Sequence, residues 1–153
     1  MKKVLIAVDD TKGSKEIIPA FSRLFPCVRP ETVILLFVQP YEGRSLMTEM
    51  LGEAELSTLK EVLEGTEYKE AIDRRSQTIV DFYRKALEES GVTGIKAVAK
   101  IGHPAEEILN TAKEEGVELI IIGSRGKRTA HRFMGSVSRE VANNAEVPVM
   151  VVR

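Results

Sequence analysis

The residues best suited to chemistry lie in one stretch, GSRGKRTAHRFMGS, from Gly123 to Ser136. It follows a solid apolar run, Leu119 to Ile122, and precedes a helix-like segment. Glycines between a buried strand and a helix N-terminus let backbone amides approach an anion closely, so the stretch reads as a phosphate cradle. The charges agree: no acidic residue lies between Glu118 and Glu140, while Arg125, Lys127, Arg128, Arg132 and Arg139 fall in that gap. The local field attracts an anion although the whole chain carries a formal charge of -1. A second group, Asp9, Asp10 and Thr11, follows the first apolar run. If the two runs are neighbouring strands, a carboxylate and a set of amides face one crevice, the former for a base or ribose and the latter for phosphate.

Other chemistries fit less well. Gly126-Lys127 lacks the glycine five residues earlier, where Ile121 stands, and the Ser or Thr after the lysine, where Arg128 stands, so this is no P-loop. No GxGxxG follows the first apolar run, which disfavours the usual dinucleotide fold. Asp9-Asp10 is like the acidic pair of response-regulator receivers, but Gly102-His103 stands where a receiver needs a second aspartate site, and the chain ends at Arg153 where it needs a lysine. His103 and His131 have no Cys or second His at ligand spacing and read as solvated or capping residues. With one cysteine, Cys27, no intrachain disulfide forms; it reads as a small buried or half-buried filler. No nucleophile, base and orienting group can be assembled, and no catalytic residue is assigned.

The elements that must position these groups follow from the hydropathy pattern. A chain of 153 residues, 43% hydrophobic and 29% charged, fits one domain, which buries roughly 68 to 70% of its extended-chain surface. A pI near 6.2 argues against generic nucleic-acid binding. No run approaches the roughly 18 apolar residues that span a bilayer, and Val4 to Val8 is short for a signal-peptide core, so a cytoplasmic protein is expected. Five strand candidates alternate with helix-like stretches: Lys3 to Val8, Thr32 to Val38, Ile95 to Ile101, Glu118 to Ile122, and Pro148 to Val152. Their mostly continuous apolar character predicts a parallel α/β sheet with helices on both faces, with AVAKI, nearer to alternation, at an edge.

Ser14 is the expected cap of the first helix, with Ile17, Ile18, Phe21, Leu24 and Phe25 as its buried stripe and Pro19 distorting its first turn. Pro104 suits a first helical position and Gly116 a helix end; the last helix is expected over 136–144. Tyr68, Ile72, Ile79, Phe82, Tyr83 and Ala86 mark a long helix, with Glu70 to Arg74 and Asp81 to Lys85 at i,i+4 spacing. Upstream of it, about 41–65 reads as a helical insertion, an extra cap on the fold or a lid or partner surface carrying Leu46, Met47, Met50 and Leu51.

VLIAVDD, VILLFV, IGHPAEEIL, LIIIGSRG and GSVSREVANNAEVPVMVVR together resemble the universal stress protein family over nearly the whole chain. The resemblance implies a five-stranded parallel sheet in the order 3-2-1-4-5, of the adenine nucleotide alpha-hydrolase-like kind. It also implies homodimers in many members, paired through the C-terminal strand. One branch of the family binds ATP through G-x2-G-x9-G-(S/T), and another lacks both motif and nucleotide. Gly123, Gly126, Gly135 and Ser136 match the four fixed positions, but KRTAHRFM places eight residues where the pattern has nine. A tighter turn absorbs that contraction, or it displaces the amides, since one extended residue spans roughly 3.3 to 3.6 Å. By the same resemblance Asp9 serves the adenosine end, Ala7 and Val8 the adjoining wall, Val38 a backbone contact to adenine, and Val137 and Ser138 further contacts at the helix N-terminus.

The resulting expectation is an ATP-binding, homodimeric stress sensor or regulator, with Mg or Mn held mainly by the phosphates. Its alternative is a non-nucleotide-binding member acting as a dimeric interaction module. Turnover is not required by any residue, and slow hydrolysis stays open. In the implied strand order the last strand, VPVMVV, lies at a sheet edge and lacks the charges that discourage edge pairing, which suggests that another chain covers it.

Overall fold

The computed structural model describes residues 1–27, 29–40, 67–124 and 134–153. The proposed insertion at 41–65 lies outside them, as do Gly126, His131 and the basic residues Arg125, Lys127, Arg128 and Arg132. Five strands are described: β1 Lys3–Val8, β2 Thr32–Gln39, β3 Ile95–Ile101, β4 Leu119–Gly123 and β5 Val149–Val152. They form one sheet in the order β3-β2-β1-β4-β5, with every neighbouring pair parallel. The described helices are α1 Lys12–Lys15, α2 Ile17–Leu24, α3 Glu67–Glu89, α4 Pro104–Glu115 and α5 Ser136–Asn144. Among the described residues, no helix is long and apolar enough to cross a membrane.

Two apolar layers explain why β1, β2 and β4 are apolar along their length. On one face Val4, Ile6, Val33, Leu35, Phe37 and Ile121 pack with Phe21 of α2 and Val80, Tyr83 and Leu87 of α3. On the other, Leu5, Ala7, Ile34, Leu36, Val38 and Ile122 pack with Ile108 of α4 and Val141 of α5. A strand covered on both sides has no polar face to display, so alternation disappears. β3 has helices on both faces but a strand on one side alone, and its side chains are mostly half-buried, as its pattern predicts.

Several helix boundaries follow the sequence closely. Pro104 opens α4 after the N-cap His103, whose Nδ1 accepts from the Glu106 N–H at 3.4 Å. Gly116 closes it in the left-handed conformation, φ +62°, where a side chain would be strained. α1 and α2 are separate helices joined at Glu16. Pro19 supplies no N–H to the carbonyl of Lys15 four residues earlier and crowds it, which accounts for the break.

Other expectations are corrected. Ser14 does not cap a helix: it lies inside α1, whose N-cap is Thr11, and its hydroxyl turns inward to Asp9. Leu24, at the end of α2, is 52% exposed, because the helix stops at Phe25 before another turn can cover it. Phe82 is 56% exposed. The buried line of α3 runs through Ser76, Val80, Tyr83 and Leu87, and Phe82 stands about 100° around the helix from Tyr83, meeting its ring edge-on at 5.2 Å. Cys27 is exposed, in the bend that follows α2. β2 extends to Gln39, β4 starts at Leu119 and ends at Gly123, and β5 starts at Val149, each a shift of a residue.

Candidate functional site

β1 lies between β2 and β4, so the sheet order reverses there and the loops after β1 and β4 open onto one crevice at the strands' carboxyl ends. A cavity of about 530 Å³ occupies it, within the size range of small-molecule sites. Of the ten residues assigned from sequence, Ala7, Val8, Asp9, Val38, Gly123, Gly135, Ser136, Val137 and Ser138 line this one cavity. The tenth, Gly126, lies outside the described residues.

The side that the sequence marks as a phosphate cradle is built from the end of β4 and the start of α5. Ser124 donates its N–H to the Val152 carbonyl at 2.7 Å, and its own carbonyl accepts from the Gly135 N–H at 2.6 Å. The Ser138 hydroxyl reaches the same carbonyl at 3.3 Å and that of Gly135 at 3.0 Å. The two flanks of 125–133 are therefore tied directly to each other. Gly135 is the N-cap of α5, and the first intrahelical bond runs from Arg139 N–H to the Gly135 carbonyl. The N–H groups of Ser136, Val137 and Ser138 consequently have no acceptor within the helix, and the helix dipole adds positive potential where they emerge. The first turn of α5 carries no acidic residue to offset it.

Opposite stands the β1 loop. Asp9 Oδ1 accepts from the Thr11 N–H at 2.8 Å, from the Thr11 hydroxyl, and from the Ser14 hydroxyl at 2.7 Å. Its N–H donates to Ser14 Oγ at 3.0 Å, and its carbonyl accepts from the Tyr83 hydroxyl at 2.9 Å. Burial and the neighbouring Asp9 carboxylate push the Tyr83 phenol up to about 12. Gly123 makes the two sides compatible. A Cβ there would stand 2.9 Å from the carbonyl carbon of Gly13 and 3.2 Å from the Ser14 nitrogen, so α1 can lie against the end of β4 because that residue has no side chain.

The third wall comes from β2. Val33 N–H donates to Gly94 and Gly102 N–H to the Gln39 carbonyl, while Thr32 N–H donates to Lys2. Odd-numbered residues of β2 thus bond toward β3 and even-numbered ones toward β1. Pairing with β1 ends at Val8 and Phe37, which sets the Val38 backbone at the cavity just past the paired part of the ladder.

Sequence reasoning missed three contributors. Ser14 fixes Asp9 instead of capping a helix. Gln39 lines the cavity and is 3% exposed; its Nε2 donates to the Pro40 carbonyl at 3.2 Å, while Oε1 has no hydrogen-bond partner among the described residues. A polar residue ending an apolar strand was the available signal. Arg75 of α3 also lines the cavity and pairs with Asp10 at 2.7 Å. It is 65 residues away in sequence, and no local pattern connects the two.

A parallel α/β domain with its cavity at the point of strand reversal, lined by helix N-terminal amides and by carboxylates, has the doubly wound architecture in which ligands bind at the strands' carboxyl ends. The universal stress protein family model matches residues 1–153, and the chain belongs to that family. It is 32% identical to universal stress protein MJ0577 of Methanocaldococcus jannaschii over 99% of this chain and 94% of that protein. It is also 32% identical to universal stress protein YxiE of Bacillus subtilis, over 99% and 98%. The solved structure of MJ0577 superposes with a TM-score of 0.74 at 28% identity, covering 99% of this chain and 94% of that one. The adenine nucleotide alpha-hydrolase-like fold expected from the sequence is thereby established. The same fold is seen in a universal stress protein in complex with cAMP, with a TM-score of 0.67 at 20% identity, covering 99% and 97%. An Arabidopsis thaliana member with AMP bound shares it at 0.62 and 21%, covering 99% and 90%.

Proposed function

We propose that this universal stress protein binds ATP in the cavity between β1, β2, β4 and α5 and acts as a homodimeric stress sensor or regulator. The observation that carries the reading is the meeting, around one cavity, of α5 amides without helical acceptors and the Asp9 and Val38 groups opposite them. Ala7, Leu36, Val38, Ile108 and Ile122 supply apolar surface for a base, and the Ser136 to Ser138 amides suit phosphate oxygens. That other members hold AMP or cAMP makes an adenine nucleotide the ligand class to test first. Mg or Mn would enter with the phosphates, which supply its oxygen ligands.

Binding at a helix N-terminus needs no general base, so the reading requires recognition and not turnover. The eight residues between Gly126 and Gly135 favour one competing reading, a dimeric interaction module without nucleotide. Denaturing freshly purified protein and separating the released small molecules should yield adenine nucleotide, and calorimetry should show ATP binding in Mg or Mn. No released nucleotide together with no heat of ATP binding would leave the interaction module. Dimerisation through β5 belongs to both readings and rests on that strand's uncharged edge.

A further inference from the structure

We propose that Arg75 sets how strongly the cavity discriminates ligands by their negative charge, acting as the counter-ion of Asp10 at the cavity wall. The inference rests on the nucleotide reading of the site and adds a residue from outside the glycine loop to it. Among the described lining residues, the ionisable side chains are Asp9, Asp10 and Arg75. Two carboxylates and one guanidinium leave this part of the wall with a net negative charge, in a site whose ligand would be a polyanion. Arg75 is the cation among these described lining side chains, and it offsets the repulsion beside Asp10. Its Nη2 lies 2.7 Å from Asp10 Oδ2, and the two side chains are 40% and 35% exposed.

That exposure separates two roles. An ion pair so open to solvent adds little to folding stability, yet a fixed charge at the mouth of a cavity with low-dielectric walls acts on every charged ligand that enters. Asp9 is engaged differently, by neutral donors of its own loop: Thr11 and Ser14 donate to its Oδ1. Asp10 is the adjacent charge whose effect depends on a partner from another element. The position of α3 therefore enters ligand affinity through Arg75, although that helix contributes no glycine-loop residue. Arg75 is a positioning and charge-compensating residue, and its signature is a dependence on ligand charge that a packing role would not produce.

The test compares adenosine, AMP and ATP as calorimetric ligands for wild type, Arg75→Ala, Asp10→Asn and the double variant. Arg75→Ala should weaken ATP by about tenfold and AMP by less, with adenosine changed by less than about twofold, and the ATP loss should shrink at high salt. The double variant restores the wild-type charge of the wall and should return ATP to within about threefold of wild type. Alanine suits an exposed helical position, so the thermal midpoint of the single variant serves as the check on folding. Equal losses for adenosine and ATP, or an ATP affinity untouched by Arg75→Ala, would overturn the proposal while leaving nucleotide binding intact. A wild-type protein that binds none of the three ligands would overturn the nucleotide reading itself and this inference with it.

Discussion

Asp9 does two jobs with different atoms. Its Oδ1 closes the turn after β1 by accepting from Thr11 and Ser14, and its carbonyl holds the Tyr83 hydroxyl. A carboxylate used this way is a structural turn residue, as Asx turns generally are, and the same bonds fix its orientation at the cavity wall. Tyr83 anchors that turn to α3. Its phenol keeps its proton to about 12, whereas an unfolded tyrosine ionises near pH 10. Between those values the native state binds more protons than the unfolded state, so stability is full below about pH 10 and falls as pH rises toward 12. Tyr83→Phe should lower stability by about 1 kcal/mol at neutral pH through loss of the hydrogen bond to Asp9. It should also flatten the alkaline decline. Urea midpoints for both proteins from neutral to strongly alkaline pH check this, and an equally steep decline in Tyr83→Phe would show that other groups cause it.

At the scale of elements, Gly123 ties the end of β4 to α1. The sequence picks it out as a residue that lets amides approach an anion; the structure gives it a second reason, the backbone of Gly13 and Ser14 within 3.2 Å of where a Cβ would stand. Those are main-chain atoms, so Gly123→Ala should force α1 to retreat at a cost of about 1 to 3 kcal/mol. It should also weaken ATP, because Asp9 and Ser14 move with α1. Chemical unfolding and calorimetry on the same variant test both effects, and an unchanged unfolding midpoint would mean that α1 yields freely. Boundaries written in local chemistry were legible: Pro104 and Gly116 bracket α4, and continuous apolar runs mark strands buried on both faces. What local chemistry does not encode was not legible. The direction of Ser14 depends on where Asp9 turns, the exposure of Phe82 depends on which arc of α3 meets the sheet, and Arg75 reaches Asp10 only after α3 has packed. Nine of the ten site residues converge because strand order, which the resemblance supplied, determines which loops become neighbours.

At the scale of the molecule, the two edges of the sheet differ. β3 carries Lys96 and Lys100, whose ammonium groups engage Glu115 and Glu107 of α4, and charge on an edge strand discourages further pairing. β5 carries Val149, Met150, Val151 and Val152 with no charge at all, and three of these four side chains remain only partly buried. In the proposed homodimer, a second copy whose own β5 presents the same surface across a twofold axis would cover this apolar, uncharged edge. Val151→Lys or Val149→Lys should therefore give monomers where wild type gives dimers by sedimentation at micromolar concentration. The lysine stem can lie over the apolar neighbours while its ammonium reaches water, so cooperative thermal unfolding should persist and would separate lost association from lost folding. Lysine variants that still sediment as dimers place the interface elsewhere, and a monomeric wild type removes the homodimer from the proposed function. In the expected case the Ser124 N–H to Val152 bond gives the result a further reach. It joins β5 to the flank of the phosphate-cradle side, so the monomeric variants should also bind ATP more weakly than wild type.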